Sequence, residues 1–188
     1  MAELLGVTGF QCSGKDTVAD ILRDSHGFEA ATSSDVIRDF IRDNNLGDPS
    51  RPLLTTVARQ LREHDPAAII KSSLARCKTD RIVVSGLYSK AEAQHFISDA
   101  GGVIIKCDAD QRLRYERAIS RDRIGDDVDF DTFQSWESGE SISTNSNNQS
   151  IREVGRLAVV TILNEGSYTD LEARVSATLV SLGISQNV

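Results

Sequence analysis

Apolar residues along this chain follow two rhythms. Some form short unbroken runs, and others recur every three or four positions. The run at 3–8, with Leu4, Leu5 and Val7, has the continuity of a strand buried on both faces. Val18, Ile21 and Leu22 then fall on one face of a helix. Residues 28–32 read as a second short strand. Val36, Ile37, Phe40 and Ile41 make a helical stripe that Ser34 and Asp35 can cap. Residues 45–52 hold a glycine and two prolines and read as a loop. Leu53, Leu54, Val57, Ala58 and Leu61 give another helix, and 67–77 one more.

The second half repeats the alternation. Residues 81–86 form a buried strand, and Ser89 with Glu92 makes a capping box for a helix to about Asp99. Residues 102–107 are strand-like and 108–121 helical. Residues 122–150 break the pattern: four aspartates (Asp126, Asp127, Asp129 and Asp131) precede a polar run at 138–150. Such a stretch reads as a mobile or inserted segment. A helix at 151–157, a strand at 158–163 and a helix at 167–182 follow, the last with Leu171, Val175, Leu179 and Leu182 on one face. Strands alternating with helices predict an α/β fold, a five-stranded parallel sheet between two helical layers, in one domain over 1–188. Such sheets bind ligands at the carboxyl ends of their strands.

One such end carries chemistry. After the first strand comes Gly9-Phe10-Gln11-Cys12-Ser13-Gly14-Lys15-Asp16-Thr17, which fits the phosphate-binding loop pattern between strand and helix. Glycines let the backbone curl so that its N–H groups converge on phosphate oxygens, and the helix adds its positive end. Lys15 reaches the terminal phosphates as a point charge. Where the pattern has Ser or Thr, this chain has Asp16, with Thr17 next. Asp16 can hold a metal through water or cap the helix, and Thr17 can supply the hydroxyl that Mg²⁺ needs. Cys12 is either redox-sensitive or simply small enough for the loop.

Composition narrows the partners. Of 188 residues, 39 % are apolar and 26 % charged, the mix of a globular chain, and the net charge of −7 opposes nucleic-acid and anionic-membrane binding. No apolar stretch reaches the roughly 18 residues that span a bilayer. The N-terminus has no basic leader, so no signal peptide is expected. Cys12, Cys77 and Cys107 fit neither a zinc pattern nor a disulfide framework, and a cytoplasmic location follows. His26, His64 and His95 show no metal spacing, and Trp136 reads as a packing anchor.

With the loop go four further stretches: 34–38 with Asp35 and Arg38, 82–86 with Ser85 and Gly86, 117–127, and 163–167 with Asn164. In that order they resemble the nucleoside-monophosphate-kinase group of P-loop kinases. The nearest likeness is to the uncharacterised, adenylate-kinase-related P-loop family of archaea. Dephospho-coenzyme-A kinases and viral deoxynucleoside monophosphate kinases resemble it more distantly.

The resemblance implies a P-loop NTPase fold with acceptor-binding helices at about 33–78 and a lid at about 117–150. It implies ATP as donor, Mg²⁺ as cofactor and a small nucleotide-type acceptor, in a monomer or homodimer. Gly9, Gln11, Cys12, Ser13, Gly14, Lys15, Asp16, Thr17 and Asn164 would contact ATP, and Asp16 and Thr17 the metal. Asp35, Arg38, Arg62 and Gly86 would face the acceptor. Lys15, Asp35, Arg117 and Arg121 would serve catalysis. For Asp35 a plain helix cap, and for Arg38 and Arg62 a solvated ion-pairing face, are the structural alternatives. Two residues depart from the family pattern: Ser85 stands where an Asp usually ends the strand, and Tyr88 where an Arg is expected, with Lys90 the nearest base.

Overall fold

The structure is a computed structural model that describes residues 3–121, 127–141 and 149–185. Its centre is a five-stranded, all-parallel sheet in the order β2-β3-β1-β4-β5. The strands are β1 (Glu3–Thr8), β2 (Glu29–Thr32), β3 (Arg81–Ser85), β4 (Val103–Asp108) and β5 (Val160–Leu163). The described helices are α1 (Lys15–His26), α2 (Ser33–Asp43), α3 (Arg51–His64), α4 (Ala68–Ala75), α5 (Lys90–Ser98), α6 (Gln111–Ser120), α7 (Phe130–Ser141), α8 (Ile151–Arg156) and α9 (Tyr168–Ser181).

The unbroken apolar runs have a direct cause. Successive side chains of a strand point to opposite faces, and both faces here are covered. Leu5, Val7, Val83, Ile105 and Cys107 pack on one side against Val18, Ile21 and Leu22 of α1 and Leu171, Val175 and Leu179 of α9. Ile82, Val84 and Ile104 pack on the other side against Ile70 of α4, Ala93 and Phe96 of α5, and Val154 of α8. A smaller core joins α2, α3 and α4 through Val36, Ile37, Ile41, Val57, Ala58 and Ile69.

This layering makes the binding edge. β1 and β3 are neighbours, with Val7 beside Ser85. From β1 the chain runs into α1 on one face, and from β3 into α5 on the other. The two connections part in opposite directions, which opens a crevice at the carboxyl ends. The Thr8 hydroxyl donates to the Leu87 carbonyl at 2.8 Å and ties the two loops together.

Two local expectations change. α2 is capped by Thr32, whose hydroxyl accepts from the Asp35 N–H at 3.0 Å; Ser34 and Asp35 lie inside the helix. The polar segment 122–150 is also more than a loose insert. Its described part contains α7, whose first turn is closed by the Asp129 carboxylate accepting from the Thr132 N–H at 2.7 Å. Phe133 is only 1 % exposed and, with Phe130, meets Tyr115 edge-on at ring distances of 5.6 and 5.2 Å. A buried Phe contributes about 2–3 kcal/mol, so α7 is docked and does not swing free at negligible cost. Residues 122–126 and 142–148 of the expected lid lie outside the described residues.

Candidate functional site

The loop after β1 is held open by tying down its carbonyls. The Ser13 carbonyl accepts from the Asn164 amide at 2.8 Å and from the Cys107 thiol at 3.1 Å. The Cys12 carbonyl accepts from Arg117 at 3.4 Å, and the same guanidinium donates to the Asn164 carbonyl at 2.9 Å. A planar peptide sends its N–H opposite to its C=O. With the Ser13 carbonyl fixed, the Gly14 N–H is therefore presented the other way. No side chain caps α1, so the N–H groups of its first turn stay available as well.

The glycines are required by space and by handedness. Gly14 has φ +98°, and a Cβ there would lie 2.0 Å from the Asn164 amide nitrogen. Gly9 has φ +155°, and its Cβ would lie 2.3 Å from the Cys107 carbonyl oxygen. Cys12 itself takes the left-handed region at φ +58°. Alternating hands along such a turn make an anion-binding nest. The Ser13 hydroxyl is fully buried and has no hydrogen-bond partner among the described residues.

Lys15 is 9 % exposed at the start of α1. Burial pulls its pKa down, but Tyr88 and Asp16 more than reverse this and hold it above the ordinary lysine value. Its Nζ lies 3.4 Å from Asp16 Oδ2 and 5.9 Å from the centre of the Tyr88 ring. The other Asp16 oxygen accepts from the Ser85 hydroxyl at the end of β3. Thr17 is half-buried in the same turn, and Gln11 half-buried within the loop.

Cys107 lies beneath the loop, and burial pushes its thiol up to about 11. The thiolate is therefore scarce at neutral pH, and the S–H remains a donor to Ser13. Iodoacetamide at pH 8 is expected to leave Cys107 unlabelled in the folded protein while labelling all three cysteines in urea, with peptide mass spectrometry as the readout. Rapid labelling of Cys107 in the folded state would contradict its place under the loop.

The flank of the loop is reinforced by contacts that no local sequence pattern announces. The Arg114 guanidinium stacks 5.0 Å from the Phe10 ring, donates to the Ala109 carbonyl at 2.9 Å, and pairs with the buried Glu137 of α7. Gln111 donates to the same carboxylate at 2.8 Å. Arg121 closes α6, its N–H bonded to the Arg117 carbonyl at 3.1 Å.

On the other side of the crevice, α2 begins where β2 ends, one strand beyond Ser85. Asp35 is exposed in its first turn and Arg38 is half-buried one turn on; neither side chain has a hydrogen bond or ion pair among the described residues. Gly86 follows β3, its N–H bonded to the Val7 carbonyl at 2.8 Å. Arg62 is not brought to this edge. Expected at the acceptor, it is 1 % exposed, and its Nε and Nη2 fork onto Glu92 at 2.9 and 3.3 Å. Trp136 of α7 is half-buried with the Arg51 guanidinium of α3 4.8 Å from its ring.

Residues 5–132 match a protein-family model described as an AAA domain. A UPF0200 protein of Aeropyrum pernix is 32 % identical over 186 residues, spanning 96 % of this chain and 95 % of that one. The shikimate kinase of Bacteroides thetaiotaomicron superposes with a TM-score of 0.60 at 11 % identity, covering 97 % of this chain and 99 % of its own. The dephospho-CoA kinase of Campylobacter jejuni does so with a TM-score of 0.52 at 15 % identity, covering 96 % and 97 %. At such identities the structural likeness shows the fold, a P-loop α/β domain of kinase-like architecture. Among the described residues no helix is long and apolar enough to cross a membrane.

Proposed function

Given that this chain belongs to the AAA-domain family and to the UPF0200 proteins, we propose that it transfers a phosphoryl group from ATP to a small nucleotide-type acceptor. The observation that carries the reading is the loop over Gly9 to Lys15, with its carbonyls tied outward and a charged lysine buried at its end. That arrangement is a cradle for a polyphosphate chain. Gln11, Cys12, Ser13, Gly14 and Thr17 line the donor side, and Asn164 holds the loop in shape from behind.

Phosphoryl transfer asks for positioning and charge neutralisation more than for covalent chemistry. Lys15 neutralises the terminal phosphates of the donor. Arg117, bonded to the Cys12 and Asn164 carbonyls, keeps the loop in shape beside the donor, and Arg121, four residues on at the end of α6, is the residue assigned to supply further positive charge to the transferring group. Asp16 and Thr17 offer the hard oxygen donors that suit Mg²⁺, which binds through one or two protein groups plus phosphates and water. When bound, the ion supplies neutralisation of the phosphate oxygens.

The helical unit over 33–78 then forms the acceptor side, with Gly86 at its edge, and α7 beside the end of α6 forms the cover. In this reading Arg38 forks onto an acceptor phosphate. Asp35 favours a second reading, in which the acceptor offers a hydroxyl, as dephospho-coenzyme A does. An uncommitted carboxylate repels a phosphate but takes a proton from an alcohol.

The test is ADP release with a panel of nucleoside monophosphates, deoxynucleoside monophosphates and dephospho-coenzyme A. One acceptor should raise ADP release well above the rate with ATP alone. A rate indifferent to every acceptor would instead make the chain a slow NTPase or an ATP sensor. With the responsive acceptor, Asp35→Asn is expected to cut turnover about a hundredfold while ATP affinity stays within about twofold. Equal loss of transfer and ATP binding would move Asp35 to the donor site or to folding.

A further inference from the structure

Two departures from the usual pattern lie 69 residues apart in the chain and touch in the fold. Where such a loop usually carries a hydroxyl after its lysine, this chain has the carboxylate of Asp16. Where the neighbouring strand usually ends in a carboxylate, it has the hydroxyl of Ser85. The sheet makes β1 and β3 neighbours, with Val7 beside Ser85, so the end of β3 faces the first turn of α1. There the Ser85 hydroxyl donates to Asp16 Oδ1, while Oδ2 lies 3.4 Å from Lys15 Nζ.

We infer that in this chain the carboxylate and the hydroxyl of the metal side have exchanged places, so that Asp16 and Ser85 together do what a loop hydroxyl and a strand carboxylate do elsewhere. The inference rests on the phosphotransfer reading and adds to it the source of the carboxylate. Three observations support it. The donor set is unchanged by the exchange, one anionic oxygen group and one neutral hydroxyl, so the charge presented to Mg²⁺ is the same. The pair is anchored on rigid elements: Ser85 is 1 % exposed at a strand end, and Asp16 lies in the first turn of a twelve-residue helix. Finally, among the described residues no group of three or more His, Cys, Asp or Glu side chains is placed to hold a metal by itself, so a cation here would depend on phosphates and water for its remaining ligands. An acid in a helix's first turn is favourable on its own account, but that would give no role to the serine across the crevice.

The exchange can be reversed by mutation. ATP affinity is measured by calorimetry in Mg²⁺ and in EDTA for the wild type, Asp16→Ser, Ser85→Asp and the double variant, with thermal melts to check folding. The wild type is expected to bind ATP roughly tenfold tighter with Mg²⁺ than without. Asp16→Ser, which leaves only hydroxyls at the metal side, should reduce that ratio to within about twofold. The double variant, which restores one carboxylate and one hydroxyl, should recover most of it. Asp16→Asn keeps the side-chain shape and should fail like Asp16→Ser, which covers the case in which the serine variant folds poorly. Mn²⁺ bound in the presence of a non-hydrolysable ATP analogue, counted by electron paramagnetic resonance, should follow the same order.

A metal ratio that survives in both Asp16 variants, or a double variant no better than Asp16→Ser, overturns the exchange. A wild type that binds ATP equally well in Mg²⁺ and EDTA overturns it too, while leaving the loop as a phosphate site. A wild type that does not bind ATP at all overturns both.

Discussion

Lys15→Ala is expected to lower turnover on the order of a thousandfold and to weaken ATP binding, with far-ultraviolet circular dichroism unchanged. The side chain is nearly buried yet held charged by Tyr88 and Asp16, so its charge is aimed into the crevice and little diluted by water. Removing it takes away the ammonium beside the Asp16 carboxylate and the cation that meets the terminal phosphates directly. Lys15→Arg is the sharper control. It keeps the charge but puts a wide planar group into a space shaped for a slim ammonium, so it should not rescue turnover. Full activity in Lys15→Arg would mean that charge alone matters, and unchanged ATP affinity in Lys15→Ala would remove the loop from phosphate binding.

The second large effect is on stability. Arg62→Ala is expected to cost about 3–5 kcal/mol in urea unfolding, because it leaves Glu92 buried beside α3 without its counter-charge. Against the roughly 5–15 kcal/mol that holds a domain together, that is a large fraction. Glu92 has a second duty. Its carboxylate accepts from the Ser89 N–H at 3.1 Å and from the Tyr88 N–H at 3.2 Å, closing the capping box of α5. The double variant Arg62→Met with Glu92→Gln removes both charges and keeps an acceptor oxygen for the cap. It should therefore lose much less than Arg62→Ala alone. A loss below about 1 kcal/mol in Arg62→Ala, together with a changed KM for an acceptor, would return Arg62 to the binding role that its sequence position suggests.

Arg62 shows where sequence reasoning reaches its limit. Spaced three residues from Arg59, it reads as half of a solvated basic face, because helical spacing reports neighbours on the same helix only. Its partner lies 30 residues away on α5, and nothing local announces it. The strands and the loop after β1 were legible for the opposite reason. Continuous apolar runs and a glycine-rich turn are local consequences of lying in a sheet covered on both faces. The Ser89–Glu92 capping box is equally local, four residues that satisfy one another.

α7 was legible in principle. Phe130, Phe133 and Trp136 recur every three residues, and Asp129 stands where an N-cap belongs. The density of aspartates and serines around them gave the stretch the look of a linker and hid its periodicity. The tethers of the loop were harder to see. Cys107, Asn164 and Arg117 come from three separate elements, and only the parallel sheet delivers them to the same two carbonyls. Asp16 and Ser85 each stand out singly as departures, but their complementarity appears only once β1 and β3 lie side by side.

The stacking of Arg51 on Trp136 joins the flank of helices beside β2 to the helix anchored over Phe10. Trp136 is also the chain's single tryptophan. Indole emission, excited at the red edge where the three tyrosines do not absorb, therefore originates at that junction, without contribution from any second indole. A change in the separation of the two flanks alters the electric field and the hydration around one fluorophore. The protein thus carries an internal optical gauge of the contact between α3 and α7, readable without a label, in which the colour and lifetime of the emitted light track their approach.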